Sequence, residues 1–182
     1  MTAARRALGL CAALAAMWAG LGVLASRPLP QRVDFSGTWD ADSYTAPEVG
    51  AQAPPIVLEM LDGGQFSLTE VRGQPVVLNF WATWCAPCEA ELPELQALAQ
   101  ARPDVRVAAI NAGEPPEQVR SWLAARGLRL PVLMDPDGRV AAVYQIRGQP
   151  STFVIGVDGT ILSVMLGATT RAQVEQVLGP DA

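Results

Sequence analysis

The stretch FWATWCAPCEAELP, residues 80–93, decides how the rest of the chain is read. Cys85 and Cys88 are separated by Ala86-Pro87, with Trp84 directly before the first cysteine. A close cysteine pair can clasp a metal, staple a loop or carry electrons. To its left, VVLNF (76–80) is almost continuously apolar, as a strand buried on both faces is. To its right, Leu92, Leu95, Leu98 and Ala99 recur at helical spacing and predict a helix over 86–101. The pair therefore falls where a buried strand hands over to a helix. Pro87 suits the first helical turn, where its missing N–H has no partner to lose. Pro93 falls inside the helix and predicts a kink.

The surrounding composition removes alternatives. The chain has 182 residues and a formal net charge of −5, enough for one domain with a core plus an extra segment. Lysine and histidine are absent. Without histidine there is no Ser-His-Asp or Cys-His catalysis and no imidazole metal ligand. A tetrahedral zinc site needs about four ligands, which two neighbouring thiols do not supply, so no metal is expected. The acidic residues all lie beyond residue 33, which argues against nucleic acid as a partner, because phosphate binding needs a basic face.

The N-terminus places this chemistry outside the cytoplasm. Residues 2–6, TAARR, are positive, and residues 7–25 carry no charge. That length is near the lower end for spanning a bilayer, about 17–25 residues. Arg5 and Arg6 keep the N-terminus inside and export the remainder. The reading adopted for 1–25 is an uncleaved membrane anchor, against a signal peptide cut after Ala25. Cys11 reads as a small apolar residue within that segment. Residues 26–50, rich in Pro, Ser, Asp and Gly, read as an extracytoplasmic linker, and 51–182 as the functional domain. The aromatics of DFSGTW and Tyr44 are candidates to pack on it.

Within the domain the signals are regular. IVLEML and QFSL flank Asp62-Gly63-Gly64 as a hairpin. VRVAAI (105–110) predicts a second buried strand. Val119, Trp122 and Leu123 mark a helix over 115–126 that Gly127 closes. LPVLMD precedes a short helix with Val140, Val143 and Tyr144 on one face. STFVIGVDGTILSVML predicts a hairpin turning at Asp158-Gly159. Thr170 and Gln173 form a capping-box pattern before Val174, Val177 and Leu178, and Gly179-Pro180 ends that helix. The fold class is α/β, a mixed sheet covered on both faces.

A helix N-terminus offers unpaired N–H groups and partial positive charge, so a thiolate at Cys85 is stabilised there and Cys85 is the attacking sulfur. Cys88, one turn later, is shielded and resolves the mixed disulfide. A structural staple fits poorly, because so short a loop constrains the unfolded chain less than a long one.

NFWATWCAPC resembles the active-site signature of the thioredoxin superfamily. The wider pattern is LDGGQFSLTEVRGQPVVLNFWATWCAPCEAELPEL followed by NAGEPPEQVRSWLAARGLRLPVLMDPDGRVAAVYQIRGQPSTFVIGVDGTI. It resembles the membrane-anchored TlpA/ResA/CcmG (DsbE)-type thiol–disulfide oxidoreductases of bacteria over roughly residues 50–178. The resemblance implies a thioredoxin-like three-layer fold with an extra N-terminal β-hairpin and a central β/α insert. It makes Gly148-Gln149-Pro150 the cis-proline loop and Trp84, Ala86, Pro87, Gln149 and Pro150 the substrate surface. The backbone of Gln149 would pair with an extended substrate segment. No cofactor is implied beyond the redox-active Cys85–Cys88 disulfide. The implied partners are protein disulfides, apocytochrome c among them, and a membrane thiol donor of the DsbD/CcdA type.

Glu91 lies one turn beyond Cys88, at the edge of the apolar stripe on a helical wheel, while Glu89 and Glu94 point away. Desolvation there would raise its pKa and suit it to exchange a proton with the Cys88 thiol. The resemblance supports that role, since a glutamate at this spacing is functional in the ResA-like group. Asn79 stands where cytoplasmic thioredoxins carry an aspartate, and it cannot transfer protons. Gly156 departs from the aspartate common in the family. Two further functions compete. A thiol peroxidase usually has a threonine three residues before its cysteine, but Ala82 stands there and Thr83 is one residue off. A copper-handling redox chaperone uses another cysteine spacing plus a histidine.

Overall fold

Seven strands form one sheet in the order β2-β1-β5-β4-β3-β6-β7. They are β1 (Val57–Met60), β2 (Gln65–Ser67), β3 (Val76–Trp81), β4 (Arg106–Ala112), β5 (Val132–Asp135), β6 (Ser151–Ile155) and β7 (Ile161–Leu166). The helices are α1 (Ala86–Ala101), α2 (Pro116–Ala125), α3 (Arg139–Val143) and α4 (Arg171–Leu178). This computed structural model describes residues 45–179. The anchor or signal segment, Cys11, most of the linker, the DFSGTW aromatics, Tyr44 and Pro180 lie outside the described residues. Among the described residues no helix is long and apolar enough to cross a membrane.

Crossover handedness explains which helix lies on which face. β3, β4 and β5 are parallel and consecutive across the sheet, so right-handed crossovers put α1 and α2 on one side. The chain then passes back beyond β3 to β6, and Val140 and Ala141 of α3 pack with Leu78 and Phe80, on the face of β3 opposite the one that Val77 turns to α1. β6 runs antiparallel to β3 and forms a hairpin with β7. The β1–β2 hairpin joins the sheet antiparallel to β5. Every residue of β3 is buried, as its apolar run requires of a central strand covered on both faces. Leu78 and Phe80 enter a core with Phe153, Ile155 and Tyr144, while Val77 packs with Leu95, Leu98 and Val174. Asn79 lies on the α1 side, bonded to Glu91 of that helix.

Local signals hold at the ends. The Thr170–Gln173 capping box starts α4, with both reciprocal bonds present. Helix α1 continues through Pro93 to Ala101. Two details differ from expectation. Val143 is exposed rather than on a buried face with Tyr144. The reason is that α3 spans five residues, starts from a left-handed Gly138, and leaves Tyr144 beyond its end as the C-cap. The Asp135 carboxylate instead holds this short helix by accepting from the N–H groups of Val140 and Ala141. The end of the expected linker is also seated on the sheet. Gly50 donates to the Ile161 carbonyl, Ile161 donates to Ala51, and the Tyr144 hydroxyl donates to Pro54 at 2.7 Å.

Candidate active site

The C-terminal ends of β3, β4 and β5 open at one end of the sheet, where their crossover loops gather. Cys85 is the N-cap of α1, in an extended conformation, and its sulfur accepts the Cys88 N–H at 3.3 Å. The cap is thus a sulfur atom in the position a serine or aspartate oxygen usually fills, which gives the sulfur a donor and the positive end of the helix. Cys85 and Cys88 form a disulfide, with Cα atoms 5.3 Å apart. Cys85 retains 4% exposure and Cys88 none, so an incoming group meets Cys85 first. Trp84 is 73% exposed beside it, and Ala86 and Pro87 are exposed on the first turn.

The Gln149-Pro150 bond is cis. Register places this loop at the same sheet end as the cysteines, because Ser151 pairs with Phe80 and the preceding Pro150 falls alongside the exit of β3. Pro150 is buried and Gln149 half-buried.

Glu91 is 1% exposed, fully inside rather than at the edge of the apolar stripe. Three partners, remote in sequence, close over it. Asn79 Nδ2 donates to Oε2 at 2.7 Å, while the Thr152 hydroxyl and the Thr169 N–H donate to Oε1 at 3.0 and 3.1 Å. Burial raises the Glu91 pKa, and the bonds from Thr169, Thr152 and Asn79 oppose that rise. Asn79 also donates to Thr152 at 2.9 Å, and its Oδ1 has no partner. Glu89 is exposed and paired with Arg126 at 3.0 Å, and Arg126 lies 3.9 Å from the Trp122 ring centroid. Glu94, also outside the site, accepts the Arg171 N–H at 3.0 Å and so joins α1 to the start of α4.

Sequence reasoning missed a second buried carboxylate. Glu114, 7% exposed, accepts from the Thr83 N–H at 2.7 Å, the Thr83 hydroxyl, Asn111 Nδ2 at 2.7 Å and Gln118 Nε2 at 2.7 Å. It ties the loop before Cys85 to the end of β4 and the start of α2. The sequence signal was a carboxylate placed between a buried strand and Pro115-Pro116, where a chain turns and polar groups need partners.

This arrangement suits thiol–disulfide exchange: one reachable sulfur at a helix start, a second enclosed sulfur within bonding distance, and a buried carboxylate one turn on. The AhpC/TSA family model matches residues 49–164. The thiol-disulfide oxidoreductase ResA of Geobacillus thermodenitrificans is 38% identical over 137 residues, covering 74% of this chain and 78% of that protein. The thioredoxin-like protein YneN of Bacillus subtilis is 34% identical over 157 residues, covering 82% of this chain and 92% of its own length. The crystal structure of a secreted Mycobacterium tuberculosis disulfide oxidoreductase homologous to E. coli DsbE is similar with a TM-score of 0.61. That similarity is at 28% identity over 67% of this chain and 92% of that one.

Proposed function

Since this chain belongs to the AhpC/TSA family and is a thioredoxin-like thiol–disulfide oxidoreductase, we propose that it acts outside the cytoplasm in the reducing direction. The observation that carries the reading is the pairing of a helix-capping Cys85 with a wholly enclosed Cys88. In the dithiol form, the Cys85 thiolate attacks one sulfur of a substrate disulfide. That S–S bond breaks, a mixed disulfide forms and the other substrate sulfur leaves as thiolate. Cys88 passes its proton to the Glu91 carboxylate and attacks the Cys85 sulfur. The second substrate thiolate is released and the Cys85–Cys88 disulfide remains, two electrons having passed to the substrate. Burial without a positive partner makes Glu91 a stronger base than an exposed glutamate, which fits it to take a thiol proton.

The uncharged Ala86-Pro87 dipeptide adds nothing further to stabilise a thiolate, which favours a reductant over a strong oxidant. The charge-free segment at 7–25 supports export with membrane attachment, and the secreted M. tuberculosis relative fits that compartment. The cysteines of apocytochrome c are a fitting substrate, and a DsbD/CcdA-type membrane thiol carrier a fitting donor. Trp84, Ala86, Pro87, Gln149 and Pro150 would meet the substrate segment. The peroxidase reading finds little support at Thr83, whose hydroxyl and N–H are both given to Glu114.

The test is the midpoint potential of the Cys85–Cys88 couple, titrated against glutathione or dithiothreitol. A value near that of thioredoxin, about −270 mV, is expected; a value near about −120 mV, typical of a disulfide donor, would reverse the direction of electron flow.

A further inference from the structure

A groove of about 470 Å³ opens next to the cis-proline loop, bordered by residues 144–151 and by β7. Its size lies within the roughly 300–1,000 Å³ of sites that enclose a small ligand or a few side chains. Three kinds of chemistry meet in it. Ile146, Val164 and Leu166 give it an apolar wall, and Leu166 is 81% exposed at the rim. Arg147 is the one charged residue that lines it, and among the described residues it has no ion-pair or hydrogen-bond partner. Gln149, half-buried, adds an uncharged polar side chain. The groove is continuous with the substrate surface, because Gln149 and Pro150 line it too.

An exposed leucine and an unpaired cation beside the cis-proline loop are complementary to a particular segment. We propose that this groove holds the residues flanking the reacting cysteine of an extended substrate polypeptide, and that it selects an acidic side chain through Arg147 next to an apolar one on Leu166. Beyond residue 33 the chain carries all 18 acidic residues and nine of the 13 arginines, a net charge of −9, so an acidic partner is otherwise repelled. Arg147 gives such a partner a single registered point of attraction, which fixes orientation more than it adds affinity. The proposal rests on the proposed function in one respect: the occupant is a disulfide-bearing polypeptide.

The test uses the reduced full chain and two apolar disulfide peptides that differ only in carrying Asp or Lys beside the cysteine. Their rate ratio is measured for each protein variant, with bis(2-hydroxyethyl) disulfide as the neutral reference reaction. Wild type should favour the Asp peptide roughly three- to fivefold at low salt, and the preference should shrink as salt is added. Arg147→Gln should bring the ratio to about one, and Arg147→Glu should invert it. Leu166→Ser should raise KM for both peptides and leave their ratio intact. An Asp/Lys ratio unchanged in Arg147→Glu overturns the proposal. If wild type reduces no disulfide, the exchange reading fails instead. The groove is then still tested by calorimetry of the oxidised chain with peptides whose cysteine is serine, where the same order of affinities is required.

Discussion

At Glu91 a single carboxylate decides how the site responds to pH. Its folded pKa is raised, so the folded chain holds the proton more tightly than the unfolded chain does. A raised carboxylate contributes most to stability below its ordinary value of 4.5, and that contribution is lost as pH rises through the folded value. Glu91→Gln never ionises, so its stability should improve relative to wild type as pH increases from about 4 to 8, by about 2–4 °C in Tm for each kcal/mol. A Tm difference that stays flat across that range would put Glu91 in contact with solvent. The same variant should slow the release of the mixed disulfide and move the pH dependence of exchange, because Cys88 loses its base. The cysteines divide the work by exposure. Cys88→Ser should accumulate substrate mixed disulfides on non-reducing gels, and Cys85→Ser should not; equal trapping by both would undo the assignment. Helical spacing located Glu91 beside Cys88 but underestimated its burial. The donors that enclose it come from residues 12, 61 and 78 positions away, and no local pattern shows them.

At the scale of elements, strand and helix positions were legible because each rests on a local cause. The apolar run of β3, the Asp-Gly turns and the Thr170–Gln173 box all act within a few residues. Packing between elements was not legible, and Glu114 is the clearest case. Its donors come from the loop before α1, from β4 and from α2, so it joins three parts of the chain at the mouth of the site. Glu114→Ala would leave the buried Asn111 amide and the half-buried Thr83 donors without their acceptor, each worth roughly 1–3 kcal/mol if it stays unsatisfied. Some would find water, so a loss of about 3 kcal/mol in urea unfolding is expected, with Glu114→Gln losing less than half of that because one amide oxygen still accepts. A Glu114→Ala variant within about 0.5 kcal/mol of wild type would mean that the Thr83 loop is held by other contacts.

Across the whole molecule, the charge that excluded nucleic acid also bears on the redox couple. Reducing the Cys85–Cys88 disulfide allows a thiolate to form at the start of α1. The helix N-terminus favours that charge, whereas the net charge of −9 beyond residue 33 opposes it. Whatever disfavours the thiolate makes the disulfide harder to reduce and the dithiol a better electron donor. The two influences differ in range. The helix terminus acts within a turn, while the acidic surface acts over distances comparable to a Debye length of about 10 Å at 0.1 M salt. Added salt therefore screens the acidic surface more than it screens the cap. The midpoint potential should become less negative from about 0.01 M to 0.5 M salt, by roughly 5–15 mV, where about 30 mV corresponds to 1.4 kcal/mol for two electrons. A neutral salt is required, with the potential read by tryptophan fluorescence or thiol labelling at fixed pH. A shift in the opposite direction would show that the net acidity does not reach the couple, and that the groups around Cys85 alone set its potential.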